Sequence, residues 1–306
     1  MENMLNPGGS VSLMTPIDLQ EGVASLSRGA YFKEASLSMT LSILTESAAQ
    51  MSGVERVSIW ALTAARQELR CLELFERAST RHSSGSVLLA SQYPAYFQAL
   101  GSESSIVADD PSQLPSMAEL ADGYLAQHKV NARLDTPIHI RGELQGVFSL
   151  EQVGSSVSWT TAHRIFAHAV ANLVTLALVE YEAEEARREA QTATERLKAV
   201  FDASRDAMLL ADGESGIILD ANRQAEKLFG FMRRDLVGKH QQFLHPKNLA
   251  SRIAEQFRQT VAGQLHTPLV TEIQRSDGSV LPVEITSEIA DISDGRRLAL
   301  GIFRPI

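Results

Sequence analysis

The chain holds few side chains whose type and spacing could do chemistry. Its one cysteine, Cys71, has no partner for an internal disulfide and cannot supply a thiolate cluster for a metal. Cys71 stands inside an alternating run from Leu69 to Glu76, so it reads as a small buried thiol of a strand. His163 and His168 are five apart on a helical stretch and do not share a face, which argues against a common metal ion. Arg133 and Asp135, at the head of a strand, suit either contact with a polar ligand or a surface ion pair, and the sequence leaves both open. His240, His245 and His266 fall in the last third; the first two lie in or near the turn at His245-Pro246. The sequence contains no G-x-x-x-x-G-K-[ST] phosphate loop, no H-E-x-x-H helix, no nucleophile elbow and no G-G-D-E-F motif. It therefore carries no catalytic signature and no metal site within its 306 residues.

A chain of this length should hold about two domains. Hydrophobic residues make up 44% and charged residues 21%, the composition of a folded globular protein rather than a disordered one. The net charge of -9 removes the attraction that draws proteins to nucleic acid or anionic membranes. No stretch approaches 18 uninterrupted apolar residues, and no basic start leads into an apolar run. Membrane insertion and a signal peptide are therefore not expected, and the chain reads as cytoplasmic.

Hydrophobic periodicity divides the chain into four parts. Residues 1–20, with Pro7, Gly8, Gly9 and Pro16, read as a flexible arm. Residues 21–175 form a first domain. In it a helix over 31–50, two strands over 54–61 and 69–76, and a polar segment over 77–110 with a short helix from Tyr93 to Leu100 come first. A helix from a Ser116 cap to about His128 follows, then strands at 133–140 and 144–152 joined by the turn Arg141-Gly142-Glu143. Residues 201–306 form a second domain: strands at 207–212 and 216–220, short helices, a helix from about Asn248 to Ala262, and three closing strands. The two layouts are α+β with antiparallel sheets rather than βαβ repeats.

Residues 176–200 join them. Leu176, Val179, Ala183, Ala186, Ala190, Ala193, Leu197 and Val200 alternate in steps of three and four, a heptad seam with Glu and Arg at its sides. At 1.5 Å per residue this is a rod of roughly 37 Å. The seam predicts a dimeric coiled coil, parallel or antiparallel. An isolated or intrachain-packed helix is the alternative, because four of the eight seam residues are alanine and bury little.

The second domain resembles a PAS sensory domain. The resemblance rests on Phe201-Asp202-Ala203, on Ile218-Leu219-Asp220-Ala221-Asn222 leading to Leu228-Phe229-Gly230, on Leu236-Val237-Gly238, on Leu244-His245-Pro246, and on Arg275-Ser276-Asp277-Gly278 leading to Val283-Glu284. The first domain resembles a GAF domain through Leu134-Asp135-Thr136-Pro137-Ile138, Gly142, Gly146-Val147-Phe148-Ser149-Leu150-Glu151, Gly154 and Trp159. The resemblance implies two antiparallel-sheet sensory domains, GAF-like then PAS-like, joined by a long α-helix. It also implies a PAS pocket, whose candidate lining residues are Asn222, His240, Phe243 and His245.

For cofactors, the resemblance works by subtraction. The PAS-like segment has no cysteine for a flavin adduct, and both tryptophans, Trp60 and Trp159, lie outside it. The position that carries the iron ligand in haem-binding relatives falls at or near Ile253, which cannot bind iron; His245 or His240 would be the substitute. Haem and flavin are thus disfavoured, and the ligand is unknown. The leading expectation is a cytoplasmic sensory module that binds a small ligand or a partner and transmits a conformational signal through a dimeric helix. One alternative is the input half of a larger histidine kinase or cyclic-di-GMP-metabolising enzyme, acting on a downstream signalling domain. Pro305 stands where such PAS domains carry the acidic residue of their exit signal, which weakens that reading. The other alternative is a ligand-free interaction scaffold.

Overall fold

The computed structural model describes residues 16–29, 35–155, 157–265 and 268–306. The chain divides into two compact units, Met1–Ala186 and Arg187–Ile306.

The first unit begins, among the described residues, with helix α1 (Pro16–Ser27). A flexible arm was expected as far as residue 20, but Pro16 opens a helix instead. Proline suits the first helical turn, where its missing N–H is not needed. The helix is held because Leu26 is buried and Val23 packs against the core. Helix α2 (Leu37–Ser52) follows, capped by the Ser36 side chain and closed by Gly53 at φ 73°. Strands β1 (Arg56–Leu62) and β2 (Glu68–Glu76) form a bulged antiparallel hairpin. Two three-residue strands, β3 (Arg81–Ser83) and β4 (Val87–Leu89), and β5 (Ile106–Ala108) lie in the segment expected to be polar loop. Runs this short show no readable alternation.

Helix α3 (Pro94–Ser102) lies between β4 and β5. Beyond β5 the chain is helical over 118–128, but not from a Ser116 cap. Met117 occupies the cap position without a side-chain bond, α4 (Ala118–Leu120) passes into a π-turn (Ala121–Leu125), and α5 (Ala126–His128) completes it. The long hairpin β6 (Val130–Ile140) and β7 (Glu143–Val153) turns through Arg141 and Gly142, both at positive φ. The sheet order is β3-β2-β1-β7-β6-β5, with β4 also paired to β2. One face buries Val57, Ile59, Leu134, Phe148 and Leu150 with α1 and α2. The other buries Trp60, Leu69, Cys71 and Val147 with α3, α4 and the π-turn.

Helix α6 (Thr161–Ala203) runs unbroken for 43 residues from the first unit into the second. Among the described residues it is the one helix long and apolar enough to cross a membrane. That apolarity is spent on packing: Phe166, Ala167, Val170, Ala171 and Val174 are buried in the first unit's core.

In the second unit, β8 (Ala207–Asp212), β9 (Ile218–Ala221), β10 (Leu269–Gln274), β11 (Val280–Asp291) and β12 (Arg297–Pro305) form an antiparallel sheet in the order β10-β11-β12-β8-β9. Between β9 and β10 run α7 (Arg223–Phe229), α8 (Arg233–Leu236), a 3₁₀ turn (Gln241–Leu244) and α9 (Ala250–Val261). The core gathers Leu209, Ile218, Phe229, Leu244, Ile273 and Phe303.

Candidate functional site

The second unit holds a partly open cavity of about 80 Å³ between its sheet and α9. Its apolar wall comes from Leu209, Ile218, Ile253, Phe257, Ile285 and Phe303. The polar lining includes Gln241, His245 and Gln256, and among the described residues that line it none is Asp, Glu, Lys or Arg. Gln241 Nε2 and Gln256 Oε1 are buried without a hydrogen-bond partner. The 3₁₀ turn explains how Gln241 comes inward: residues three apart share a face in such a turn, and Leu244, three residues on, is buried.

Of the four pocket residues expected from sequence, His245 alone borders this cavity. It is 4% exposed, and its Nδ1 lies 2.8 Å from the Glu272 carbonyl oxygen. A carbonyl only accepts, so Nδ1 carries the proton and Nε2 of the neutral ring is left as an acceptor. Burial lowers the pKa of His245, and the bond to Glu272 opposes this only partly. An unfolded histidine titrates near 6.5. Below that pH the unfolded chain takes up a proton that folded His245 resists, so this contribution to stability is complete above about 6.5 and is lost on acidification. Hydrogen-exchange protection of β8–β12 should fall as pH drops below about 6.5, and His245→Gln should flatten the dependence. His128 and His163, whose pKa values burial also lowers, lie in the other unit and do not enter this readout.

The other three residues do different work. Asn222 is fully buried and caps α7: its Oδ1 accepts from Ala225 N at 2.8 Å and Met208 N at 2.9 Å. Its Nδ2 donates to the Phe201 carbonyl at 3.0 Å and the Asp206 carbonyl at 2.9 Å. Every hydrogen-bonding site on the amide that these bonds require is taken by backbone, so Asn222 joins the end of α6 to β8 and α7. His240 caps the 3₁₀ turn, its Nδ1 accepting from Gln242 N at 3.2 Å. Phe243 is 45% exposed and tilts against Phe231 at 5.2 Å. His266 lies outside the described residues.

In the first unit, Arg133 and Asp135 are not the surface pair that the sequence allowed; both are fully buried. Arg133 Nε donates to both Asp135 carboxylate oxygens at 2.9 Å, Nη1 to Glu151 at 2.8 Å, and Nη2 to Tyr96 Oη at 3.2 Å and Ser149 Oγ at 3.1 Å. Tyr96 in turn donates to Asp135 at 2.7 Å. The rings of Tyr96 and Tyr124 sit 5.6 and 5.7 Å from the guanidinium carbon. Arg56 donates to Tyr124 Oη at 3.1 Å and stands 3.4 Å from Glu151. Burial opposes the charge on Arg133, but Asp135, Tyr96 and Glu151 more than offset it, so Arg133 stays protonated; burial also raises Tyr96. The cluster draws in Tyr96 of α3 and Tyr124 of the π-turn, and Arg56 Nε and Glu151 Oε2 within it are buried without a hydrogen-bond partner.

Cys71 is 3% exposed, and burial with the nearby Glu151 and Glu73 charges raises its pKa to about 12. This is a thiol held neutral, as the strand pattern implies. His163 is buried beside Trp159 at 5.5 Å, whereas His168 is exposed and bonds Ser105 Oγ at 2.9 Å, so the two face different surroundings.

The seam residues of α6 place a second candidate surface on the page. Leu176, Val179, Leu197 and Val200 are 46%, 38%, 74% and 73% exposed, and Ala183, Ala186, Ala190 and Ala193 between them are exposed too. The same steps of four and three run back through Asn172 and Ala169 to Ile165, which is 66% exposed. Sequence reasoning stopped at Leu176 because Asn172 interrupts the apolar pattern.

Residues 36–178 match the GAF domain family and residues 205–306 the PAS domain family. An uncharacterised protein of Azorhizobium caulinodans is 28% identical over 193 residues, 60% of this chain and 25% of that protein. The chain thus spans about a quarter of the length of the curated relative it matches. Among solved structures, a PAS domain of a Colwellia psychrerythraea protein is 26% identical over 38% of this chain and 97% of its own, with a TM-score of 0.34. The GAF domain of a phosphoenolpyruvate-protein phosphotransferase from Coxiella burnetii is 13% identical over 56% of this chain and 99% of its own, with a TM-score of 0.47. GAF and PAS domains are sensory and non-catalytic, and the chain is a tandem GAF–PAS protein of the sensory signalling kind, with the GAF domain first.

Proposed function

We propose that this protein works as a homodimer in the cytoplasm, sensing a small molecule at its PAS cavity and passing the response along paired α6 helices. The observation that carries the reading is the exposed heptad stripe on α6, which runs from Leu176 to Val200. A solvated apolar seam sustained over more than three heptads is explained by a second helix. Four alanines in its middle let two packings lie close in energy, the requirement for a ligand to shift the balance between them. Glu182 and Arg187 flank the seam, and a parallel in-register pair would bring them together with opposite charge.

Sedimentation equilibrium tests this directly. The chain should be dimeric at low micromolar concentration, and the double substitution Leu197→Glu/Val200→Glu should raise the dimer dissociation constant at least roughly a hundredfold, because each buried side chain of this size is worth about 1.5–3 kcal/mol. A monomer at tens of micromolar would remove the reading.

A second reading is that the dimer serves as the input part of a longer signalling assembly, such as a two-component or cyclic-di-GMP system. It is supported by the Azorhizobium relative, in which the matched region is a quarter of the chain. The dimer would then act on an output domain or partner through the same helices.

A further inference from the structure

We infer that a groove on the second unit, where the chain enters β8 and leaves β12, binds a phosphate group. The site is separate from the PAS cavity and from the α6 seam, and it stands or falls without either.

The groove has a volume of about 310 Å³ and opens to solvent. Four cations border it: Arg205 just before β8, Lys227 on α7, Arg275 in the β10–β11 turn and Arg304 near the end of β12. Asp206 is the one carboxylate among the residues that line it. This excess of positive charge stands in a chain whose net charge is -9.

Two of the cations are fixed by the fold. Arg304 grips Asp206, Nε donating to Oδ1 at 3.1 Å and Nη2 to Oδ2 at 2.7 Å. Arg275 Nε donates to the Leu228 carbonyl at 2.9 Å and Nη2 to the Lys227 carbonyl at 3.4 Å. Asp206, Lys227 and Leu228 themselves border the groove, so both guanidinium groups are held at its wall. Each of them spends two of its five N–H donors on these bonds and keeps the rest. The other two cations are uncommitted. Arg205 and Lys227 are exposed, and neither side chain makes a hydrogen bond or ion pair among the described residues. Glu284 faces Arg304 across the strands and Asp277 feels the charge of Arg275, but neither borders the groove.

This arrangement selects among anions. Like charges gathered without counter-charges repel one another, and one dianion relieves them together. A carboxylate presents two oxygens in a plane and is satisfied by a single arginine fork, as Asp206 is by Arg304. A phosphate group carries about two negative charges at neutral pH on tetrahedral oxygens, so it can meet cations that arrive from several elements. Clusters of arginine are the usual means of holding such a group, whether it is free or attached to a side chain.

The test follows the backbone amide NMR shifts of the full chain at fixed ionic strength with three probes. They are inorganic phosphate, a capped glycyl-phosphoseryl-glycine peptide, and the same peptide with aspartate in place of phosphoserine. At least one phosphate probe should shift the amides of Arg205, Lys227, Arg275 and Arg304 saturably, and the aspartate peptide should bind at least tenfold more weakly. Inorganic phosphate binding as tightly as the phosphopeptide assigns the site to free phosphate; tighter binding of the phosphopeptide assigns it to a phosphorylated chain. Arg205→Gln/Lys227→Gln should weaken the better probe at least tenfold without lowering the thermal midpoint, because neither side chain bonds within the fold. Lys247→Gln/Arg252→Gln removes the same charge from exposed positions of the same unit that do not border the groove, and should change the affinity less than twofold. No saturable shift with either phosphate probe, equal binding of the aspartate peptide, or equal weakening by the two double variants (attraction to net charge only) would each overturn the inference.

Discussion

Replacing Arg133 with methionine should destabilise the GAF domain by about 3–5 kcal/mol, the cost of leaving buried carboxylates without their counter-charge. Asp135 and Glu151 are both fully buried and both bonded to this guanidinium. With it gone they must either stay charged in an apolar setting or take up protons. The loss should therefore shrink as pH falls towards the range where buried carboxyls protonate. Urea unfolding followed by tryptophan fluorescence isolates the effect, because Trp60 and Trp159 both belong to the first unit and the second has none. Trp60 meets Tyr124 edge-on at 5.6 Å, beside the cluster itself. Removing the charges together, as Arg133→Met/Asp135→Leu/Glu151→Met, should recover much of the loss, since apolar replacements of a whole buried ion cluster are often close to neutral. A single Arg133→Met variant that unfolds within about 1 kcal/mol of the parent would show that the cluster is not coupled as its geometry implies.

Asn222→Ala should cost the PAS domain roughly 3 kcal/mol, from four hydrogen bonds lost at a fully buried side chain. Two backbone donors, Met208 N and Ala225 N, and two carbonyls, of Phe201 and Asp206, would lose their partner at once. Asn222→Asp keeps the two acceptor bonds but turns an oxygen on the two carbonyls, so it should be nearly as damaging at neutral pH and improve on acidification, when the carboxyl can donate. Hydrogen exchange across β8, α7 and the last turn of α6 reports all of this in a domain without tryptophan or tyrosine. If Asn222→Ala leaves exchange at the end of α6 unchanged, Asn222 is a helix cap and nothing more.

These two residues mark how far the sequence could be read. Asn222 was expected at the pocket, although an Asx residue before a short apolar helix also carries the signature of a cap. Its grip on Phe201 was not, since that carbonyl is 21 residues away in sequence. The β6–β7 hairpin and the long helix were legible because their periodicity runs for many residues. Arg133 and Asp135 were not, because charges two apart on a strand look solvated until Tyr96 and Glu151, 37 residues before and 18 after, close over them. The cavity was least legible. His240 and Phe243 were attractive by chemical type, yet the three-residue period of the 3₁₀ turn faces Gln241 and Leu244 inward and leaves Phe243 outside. Glutamines carry no sequence signal for burial, so Gln241 and Gln256 became visible only as unpartnered atoms.

The strand order of the PAS sheet has a consequence for synthesis. β12 comes last of the domain's strands in the chain, yet it lies at the centre of the sheet, between β11 and β8. As the chain emerges from the ribosome, the GAF core can close once its helix has appeared as far as Ala177, the last residue of α6 that is buried there. The PAS domain has no such early stage. β8 pairs early with β9, but its other edge waits for a neighbour about 90 residues away and stays open until Arg297–Pro305 arrives. A nascent chain stalled between those points presents a finished domain followed by an open sheet edge, the form that chaperones hold and that aggregates when they do not.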